Sequence, residues 1–277
     1  MPTNRPVRLI RPSQPFGEWL KQLFERRETL WFFVWKDLKV QYSYPILGIV
    51  WSVFQPLIYF GIILSVIRFS GRSGVDLALP FAVYLICGLT IWNFTTSAIL
   101  GAMNSIQSNA GIISKSFFPR IYLILAPLLK SCIDLLIMLL ITIGMAFFYD
   151  STLSPIAIFL IPFAMITALL TALGWAALAA SATVINRQVR HAIPVLLYAM
   201  IFALPVFYSM ENIHNKWLQL LYQLNPIAGS MECFRAAFSG VIPSTENLIF
   251  WMTGSLIWAT LGIGAFRKIE KTLADRV

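Results

Sequence analysis

Two opposite charges, Lys130 and Asp134, lie within a long apolar stretch, and no other apolar run of the sequence contains a charged residue. Their spacing of four residues places both on one face of a helix, where they can neutralise each other as an ion pair. Because an unpaired charge inside a bilayer is costly, the pair predicts a helix whose polar face is turned toward other helices. A proton relay is the alternative role for Asp134, although proton-driven carriers usually need more than one isolated carboxylate.

Other chemistry finds little support in the sequence. The three cysteines are far apart, and the two histidines, His191 and His214, form no ligand set. No Gly is followed directly by Lys, so the phosphate-binding loop of a nucleotide hydrolase is absent. An intramembrane enzyme needs converging carboxylates or a metal, and Asp134 is the only carboxylate within an apolar run. We therefore predict no catalytic residue, no metal site and no cofactor bound by this chain.

The composition is that of a membrane protein. Of 277 residues, 58% are hydrophobic and only 12% are charged, whereas a soluble domain carries about twice that charged fraction. Several uncharged runs reach the length of about 20 residues that crosses a bilayer. The net charge of +9 does not indicate nucleic acid, because the basic residues are divided among loops. It suits contact with the anionic inner leaflet.

The apolar pattern predicts an all-α membrane protein with six transmembrane helices. The predicted spans cover residues 46–67, 80–103, 122–149, 156–184, 192–208 and 248–266. Span four is rich in Ala, Gly and Thr, which let helices approach closely in lipid. Residues 1–45 then form a cytoplasmic segment, 46–266 a membrane domain and 267–277 a cytoplasmic tail. Sixteen of the 21 Lys and Arg lie in residues 1–45, 105–120, 186–190 and 267–277, which places both termini in the cytoplasm.

Amphipathic helices flank the spans on both sides. Residues 16–28 alternate apolar and charged side chains at helical spacing and predict an interfacial helix that contains Trp19. Residues 209–246 contain two short apolar repeats, one after Trp217 and one after the pair Asn225–Pro226, which suits a helix cap and first position. We predict a re-entrant hairpin that dips into the outer leaflet, with a plain extracellular cap as the alternative.

The polar segment 105–120 separates spans two and three. Both of its charges, Lys115 and Arg120, are positive, and Pro119 ends any helix within it. In so apolar a chain, such a segment must lie in water or against another protein. We interpret it as a docking surface through which a soluble motor drives the membrane domain.

Several motifs, in this order, closely resemble the permease subunits of ABC exporters for O-antigen, capsule and teichoic-acid polymers. They are Lys36-Asp37-Leu38-Lys39-Val40-Gln41-Tyr42, Leu47-Gly48-Ile49-Val50-Trp51, Gln55-Pro56-Leu57, Lys115-Ser116-Phe117-Phe118-Pro119-Arg120 and Leu224-Asn225-Pro226. The resemblance covers nearly the whole chain, and the O-antigen and capsule branch is most similar. It implies a bacterial inner-membrane homodimer that works with two copies of a separate cytoplasmic ATPase. That partner, and not this chain, would use ATP and Mg²⁺.

The resemblance also implies roles for particular residues. The segment after span two resembles a coupling helix, and the N-terminal helix also touches the ATPase in such exporters. The implied ATPase-coupling residues are Trp19, Arg26, Ser108, Asn109, Ile112, Ile113, Lys115, Phe117, Phe118 and Arg120. For the hairpin we predict an outer gate formed by Trp217, Leu221, Asn225, Pro226 and Phe234.

A polysaccharide presents hydroxyls and flat apolar ring faces, so a path along which it slides needs aromatic surfaces and few strong hydrogen bonds. Similar exporters line their channel with aromatic residues of spans one and five, although each one alone can equally pack against helices or lie in an interfacial belt. The candidates are Trp51, Phe54, Tyr59, Tyr198, Phe202, Phe207 and Tyr208.

The function that these observations predict is the membrane half of an ATP-driven exporter of a lipid-linked polysaccharide, in O-antigen (lipopolysaccharide) or capsule biosynthesis. A drug or small-lipid exporter of the same permease type is the first alternative. A proton-coupled carrier that depends on Asp134 is the second.

Overall fold

The computed structural model describes residues 16–41, 54, 57–66, 69, 79–113, 115, 118–151, 153–208 and 215–270. Within these residues all regular structure is α-helical. The helices are α1 Phe16–Glu25, α2 Arg27–Gln41, α3 Leu57–Val66, α4 Phe81–Ser108, α5 Ala110–Ile113, α6 Tyr122–Phe148, α7 Ala157–Ile185, α8 Val189–Ala203, α9 Lys216–Gln223, α10 Pro226–Ser239 and α11 Thr245–Glu270.

Four of these helices, α4, α6, α7 and α11, are long and apolar enough to cross a membrane. They coincide with predicted spans two, three, four and six, so the all-α, multi-pass character of the chain is confirmed. Predicted span five corresponds to α8, whose 15 residues extend about 22 Å. Span one is described only in part, through α3. The count of six spans and the N-in, C-in topology stay predictions.

The helix of predicted span five ends earlier than its apolar run. Leu204 has an extended backbone (φ −89°, ψ 154°), which is the conformation that the following Pro205 favours in its neighbour. Residues 204–208 therefore form a turn and not the last helical turn that the apolar pattern predicted. This turn carries Phe207 and Tyr208 away from the axis of α8.

The core is built around α7, which packs against α4, α10 and α11. Its buried face consists of small residues four apart, namely Ala164, Ala168, Ala172, Ala176 and Ala180. At Gly174 an added Cβ would collide with the Trp258 carbonyl, and at Gly262 it would collide with Gly174 itself. The backbones of α7 and α11 are thus in direct contact, and the close approach predicted from the small residues of span four is confirmed.

Pairs of hydroxyls bridge neighbouring helices within this core. Thr90 of α4 meets Thr142 of α6 at 2.9 Å between the two oxygens. Thr167 of α7 meets Ser230 of α10 at the same distance. Each of these four side chains also bonds a carbonyl of its own helix. The hydroxyls are therefore satisfied without water, as an apolar environment requires.

The segments that flank the spans form helices as well. Where the sequence predicted one helix over residues 16–28, the structure has α1 and α2, joined at Arg26. Helix α2 packs against α6 and buries Phe33 and Val34. The side chain of Trp19 lies outside the described residues. The location of α1 in the membrane interface stays a prediction.

The predicted hairpin is present as α9 and α10. The Asn225 side chain accepts a hydrogen bond from the Ile227 backbone N–H at 3.0 Å, and Pro226 begins α10. This cap and first position are those predicted from the sequence. The dip of the hairpin into the outer leaflet stays a prediction.

Candidate functional site

A cavity of about 1040 Å³ lies between α2, α3, α4, α6 and α8. Aromatic side chains, amides, hydroxyls and a few charges form its wall. The aromatic part consists of Tyr59, Trp92, Phe94, Tyr198, Phe202 and Phe207, and the polar part includes Asp37, Gln41, Asn93, Thr96, Ser97, Asn104, Ser108, Lys130 and Asp134. The wall thus combines aromatic and aliphatic surfaces with hydrogen-bonding groups, a combination that suits a molecule with both apolar faces and polar groups.

The predicted channel aromatics divide into two groups. Tyr59, Tyr198, Phe202 and Phe207 line the cavity. Phe54 is exposed but is not part of the wall. Tyr208 is the residue after Phe207 and is not part of the wall either. Trp51 lies outside the described residues. The channel role of all seven stays a prediction.

Two aromatic residues of the wall, Trp92 and Phe94, belong to α4 and were not among the predicted set. A signal existed in the sequence, since the polar residues Asn93 and Thr96 beside them interrupt the middle of predicted span two. Unlike Tyr198 and Phe202, which are 64% and 70% exposed, Trp92 is only 4% exposed. Trp92 therefore belongs both to the core and to the wall.

The charged part of the wall joins α6 to α2. Gln41 donates a hydrogen bond to the Asp134 carboxylate at 3.4 Å. Burial raises the pKa of Asp37, and the positive charges of Lys36 and then Lys130 oppose this shift. Lys130 and Asp134 thus share the cavity with a second carboxylate and an amide that the sequence did not associate with them. Their direct ion pair stays a prediction.

The segment 105–120 is held against the N-terminal helices. Asn109 is buried, its amide accepts a hydrogen bond from Lys36 of α2, and it donates to the Ser105 carbonyl at 2.7 Å. The ring of Phe118 contacts that of Phe33, with 5.1 Å between centroids.

Two further contacts bring the ends of other helices to the same place. The Tyr122 hydroxyl donates to the Leu23 carbonyl of α1 at 2.7 Å. The Arg120 backbone N–H donates to the Glu270 carboxylate at 3.1 Å, and its guanidinium donates to the Glu270 carbonyl. The N-terminal helices, the 105–120 segment and the end of α11 therefore meet at one end of the molecule.

The predicted coupling residues differ in their exposure. Arg26, Ser108 and Lys115 are exposed, Ile112, Phe118 and Arg120 are partly exposed, and Asn109 and Ile113 are buried. Phe117 lies outside the described residues. A partner could touch the first two groups directly, whereas Asn109 and Ile113 hold the segment in place. Their coupling roles stay predictions.

The 105–120 segment is also connected to α8. Arg190, in the first turn of α8, donates hydrogen bonds to the side chains of Gln107 and of Asn104, the latter at 3.1 Å. These hydrogen bonds join the end of α4 to the helix that carries Tyr198 and Phe202.

The predicted gate residues lie at the opposite end of the molecule. Trp217 and Leu221 of α9 are 77% and 64% exposed. Asn225 is partly exposed, whereas Pro226 and Phe234 of α10 are buried. The surface available to form a gate is therefore α9, and α10 is its support. The gate role itself stays a prediction.

Comparison with known proteins finds one matching family and several similar sequences. The family model described as ABC-2 type transporter matches residues 28–239. An "O-antigen export system permease protein RfbA" of Klebsiella pneumoniae is 26% identical over 241 residues, which are 87% of this chain and 91% of the relative. A second protein of that name and organism is 24% identical over the same length. One of the same name from Myxococcus xanthus is 23% identical over 257 residues, 91% of this chain and 96% of the relative.

Proposed function

The chain belongs to the ABC-2 type transporter family, and on that basis we propose that it is the membrane permease of an exporter that carries O-antigen polysaccharide across the bacterial inner membrane. The observation that carries the proposal is the near full-length similarity to three proteins named as O-antigen export permeases. The aromatic cavity supports it, because the flat faces of sugar rings stack on aromatic side chains while hydroxyls find the amides beside them.

The proposed cargo is a lipid-linked polysaccharide, and the proposed path runs along α8. Tyr198, Phe202 and Phe207 follow one another along this helix and the turn after it, and all of them face the cavity. Weak contacts repeated in this way let a polymer enter and also leave. A drug or small lipid would need a closed site with stronger and more specific contacts.

We propose that two copies of the chain enclose the path. In the described residues α8 buries only Leu197, while Val195, Leu196, Tyr198 and Phe202 are 60–70% exposed. Helix α3 likewise exposes Tyr59 and Ile62. A second copy placed against these two helices would complete a channel of which the cavity is one half.

The energy source proposed is a separate ATPase, two copies of which would dock on the 105–120 segment and α1. The chain has no Gly-Lys pair and hence no phosphate-binding loop. The docking end is where α1, α2 and the end of α11 meet, and Arg190 connects it to α8. A push at this surface would therefore reach the proposed path directly.

The main experiment reconstitutes the chain with its ATPase in vesicles and measures export of labelled lipid-linked polysaccharide. Replacing Tyr198 and Phe202 together by Ala should reduce export about tenfold, while ATP hydrolysis and assembly are retained. Replacing Ile112 by Asp should leave hydrolysis but abolish export, with Gln188→Asp, on an exposed loop at the same end, as control. Export by the chain alone, driven by an ion gradient and lost in Asp134→Asn, would overturn the proposal.

The proposed homodimer can be tested by crosslinking. Cys132 is partly exposed and the other two cysteines are buried. The variant Cys132→Ser therefore has no exposed native thiol that could compete in the crosslinking. Val195→Cys on α8 should then form a disulfide between two copies, whereas Ile158→Cys, equally exposed on α7, should not. The reverse pattern would place the second copy against α7.

A further inference from the structure

The two helices of the hairpin are held very differently. All residues of α10 from Pro226 to Phe238 except Glu232 are buried, and α10 packs against α4, α7 and α11. In contrast, α9 has no buried residue. Its carboxyl end is attached to the core through Trp251, whose indole N–H donates to the Gln223 carbonyl at 2.9 Å. Helix α10 is thus packed into the core along its length, whereas α9 lies on the surface and contacts α11 at its carboxyl end.

A buried arginine joins α10 to two other elements. Arg235 is only 2% exposed, and its guanidinium donates to the Glu232 carboxylate at 2.9 Å. It also donates to the carbonyls of Pro205 and Val206, at 2.8 and 3.1 Å, in the turn after α8. A further hydrogen bond of 3.3 Å reaches the Tyr84 carbonyl in the first turn of α4.

The surroundings of Arg235 fit the guanidinium closely. The guanidinium carbon Cζ of Arg235 lies 3.5 Å from the centroid of the Tyr84 ring, which adds a cation–π contact. Gly88 leaves the space that the side chain needs, because a Cβ there would lie 2.7 Å from Nη2. A charged side chain buried in a membrane protein is expensive and usually functional. Hydrophobic packing alone does not explain why this position carries an arginine.

Tyrosines extend this cluster to α9. The Tyr84 hydroxyl donates to the Tyr208 carbonyl at 2.7 Å. The Tyr208 hydroxyl in turn meets that of Tyr222 in α9, also at 2.7 Å, and their rings make an edge contact. The turn after α8 is therefore bound on one side to α10, through Arg235, and on the other to α9, through the tyrosine pair.

We propose that Arg235 is a positioning residue that makes the outer end of α8 and the hairpin respond together, with the Tyr208–Tyr222 hydrogen bond as the latch that keeps α9 closed over the path. Helix α8 buries only Leu197 along its length. It is tied at its first turn by Arg190 and just beyond its last turn by Arg235. Because α8 is bound at both ends, we expect a displacement at its first turn to reach the turn after it.

The inference rests on the proposed export function, and the experiment separates the two. Spin labels at Leu221→Cys in α9 and Leu196→Cys in α8 report their separation in the full complex with its ATPase, on the Cys132→Ser background. The parent should show a change in this distance during ATP turnover. In Arg235→Lys, which keeps the charge but cannot reach three elements at once, that change should be lost while ATP hydrolysis continues.

The second arm uses a variant that preserves packing. Tyr222→Phe removes only the hydroxyl of the latch, and the resting leak of a small solute through the complex should rise roughly fivefold, the shift that loss of one ordinary hydrogen bond produces. Tyr149→Phe, at the same end of the molecule, is the matched control and should not leak. If Arg235→Lys does not fold, this arm decides alone.

Unchanged leak in Tyr222→Phe, or an ATP-dependent distance change that persists in Arg235→Lys, would overturn the inference. Neither readout requires the cargo, whereas polysaccharide export by the parent complex is measured separately. A parent that opens on ATP turnover but exports no polysaccharide would overturn the proposed function and leave the latch standing.

Discussion

Helices α7 and α8 are neighbours in the sequence and are both apolar, yet they are used in opposite ways. Helix α7 buries 16 of its 29 residues, most of them Ala, Thr or Gly, against α4, α10 and α11. Helix α8 buries only Leu197 of its 15 residues and exposes large side chains. In this chain the packed framework and the proposed path therefore differ in residue size, with small residues where backbones touch and large ones along the proposed path.

The physical reason lies in the solvent. Lipid is as apolar as a leucine side chain, so helices in a bilayer gain little from hiding apolar surface and instead associate through close packing and hydrogen bonds. Helix α7 achieves both, through Gly174 and through Thr167. Helix α8 can leave Val195 and Phe202 exposed, because such side chains are stable in lipid or against a second copy.

A substitution at the contact of α7 with α11 should destabilise the fold most. Gly174→Leu places a side chain where even a Cβ collides with the Trp258 carbonyl. The loss of folding stability should be greater than that of ordinary overpacking, which is about 1–3 kcal/mol, because the new side chain collides with backbone atoms that cannot move aside. We expect almost no folded protein, measured as monodisperse material after extraction from the membrane.

The matched control for that variant is Gly264→Leu in α11. A Cβ at Gly264 has nothing within 4 Å, and the new side chain would face outward. This variant should extract and unfold like the parent. Equal behaviour of the two leucine variants would refute the claim that backbone contact holds the framework together.

A second, smaller effect distinguishes the two kinds of aromatic residue in the cavity wall. Trp92→Ala removes a side chain that is 4% exposed, and the cost should be about 3–5 kcal/mol of stability. Phe202→Ala removes one that is 70% exposed, and stability should change by less than about 0.5 kcal/mol while export falls. Thermal unfolding in detergent and vesicle export measure the two quantities. A large loss of stability in Phe202→Ala would show that α8 is part of the framework after all.

Much of the framework could be predicted from the sequence, because the length and the apolar character of the runs alone identify α4, α6, α7 and α11. The hairpin was also predictable, since Asn225–Pro226 is a local signal for a helix start and needs no tertiary contact. The apolar run did not predict where α8 ends, because it continues to Tyr208 while the helix ends at Ala203. Pro205 explains the earlier end, since it favours an extended backbone at Leu204. Helix α2 was missed as a separate element because its aromatic and charged residues do not separate onto two faces.

The candidate site was predictable only in outline. The aromatic residues of α8 could be proposed from their position, but the contribution of Trp92 depends on how α4 is rotated within the bundle. Arg235 looked like an ordinary charge in a polar outer loop. Its burial depends on two elements distant in the sequence, α4 with Tyr84 and the turn after α8 with Pro205, which meet α10 around this side chain. No local pattern encodes such a meeting.

The smallest effect concerns the hydroxyl pair Thr167–Ser230, which joins α7 to α10 at 2.9 Å. A double-mutant cycle with Thr167→Val and Ser230→Ala should give a coupling energy of about 0.6 kcal/mol, the average for such bonds in membrane proteins. It is small because each hydroxyl has one proton, which it can donate to a carbonyl of its own helix instead of to the other hydroxyl. Thr260→Val is the control, since Thr260 is exposed and bonds the Ile257 carbonyl of its own helix. Its cycle with Ser230→Ala should give no coupling. A coupling above about 2 kcal/mol for the Thr167–Ser230 pair, beyond the largest value of about 1.7 kcal/mol expected for such bonds, would mean that hydrogen bonds rival backbone contact in holding α10, the support of the predicted gate, to the framework.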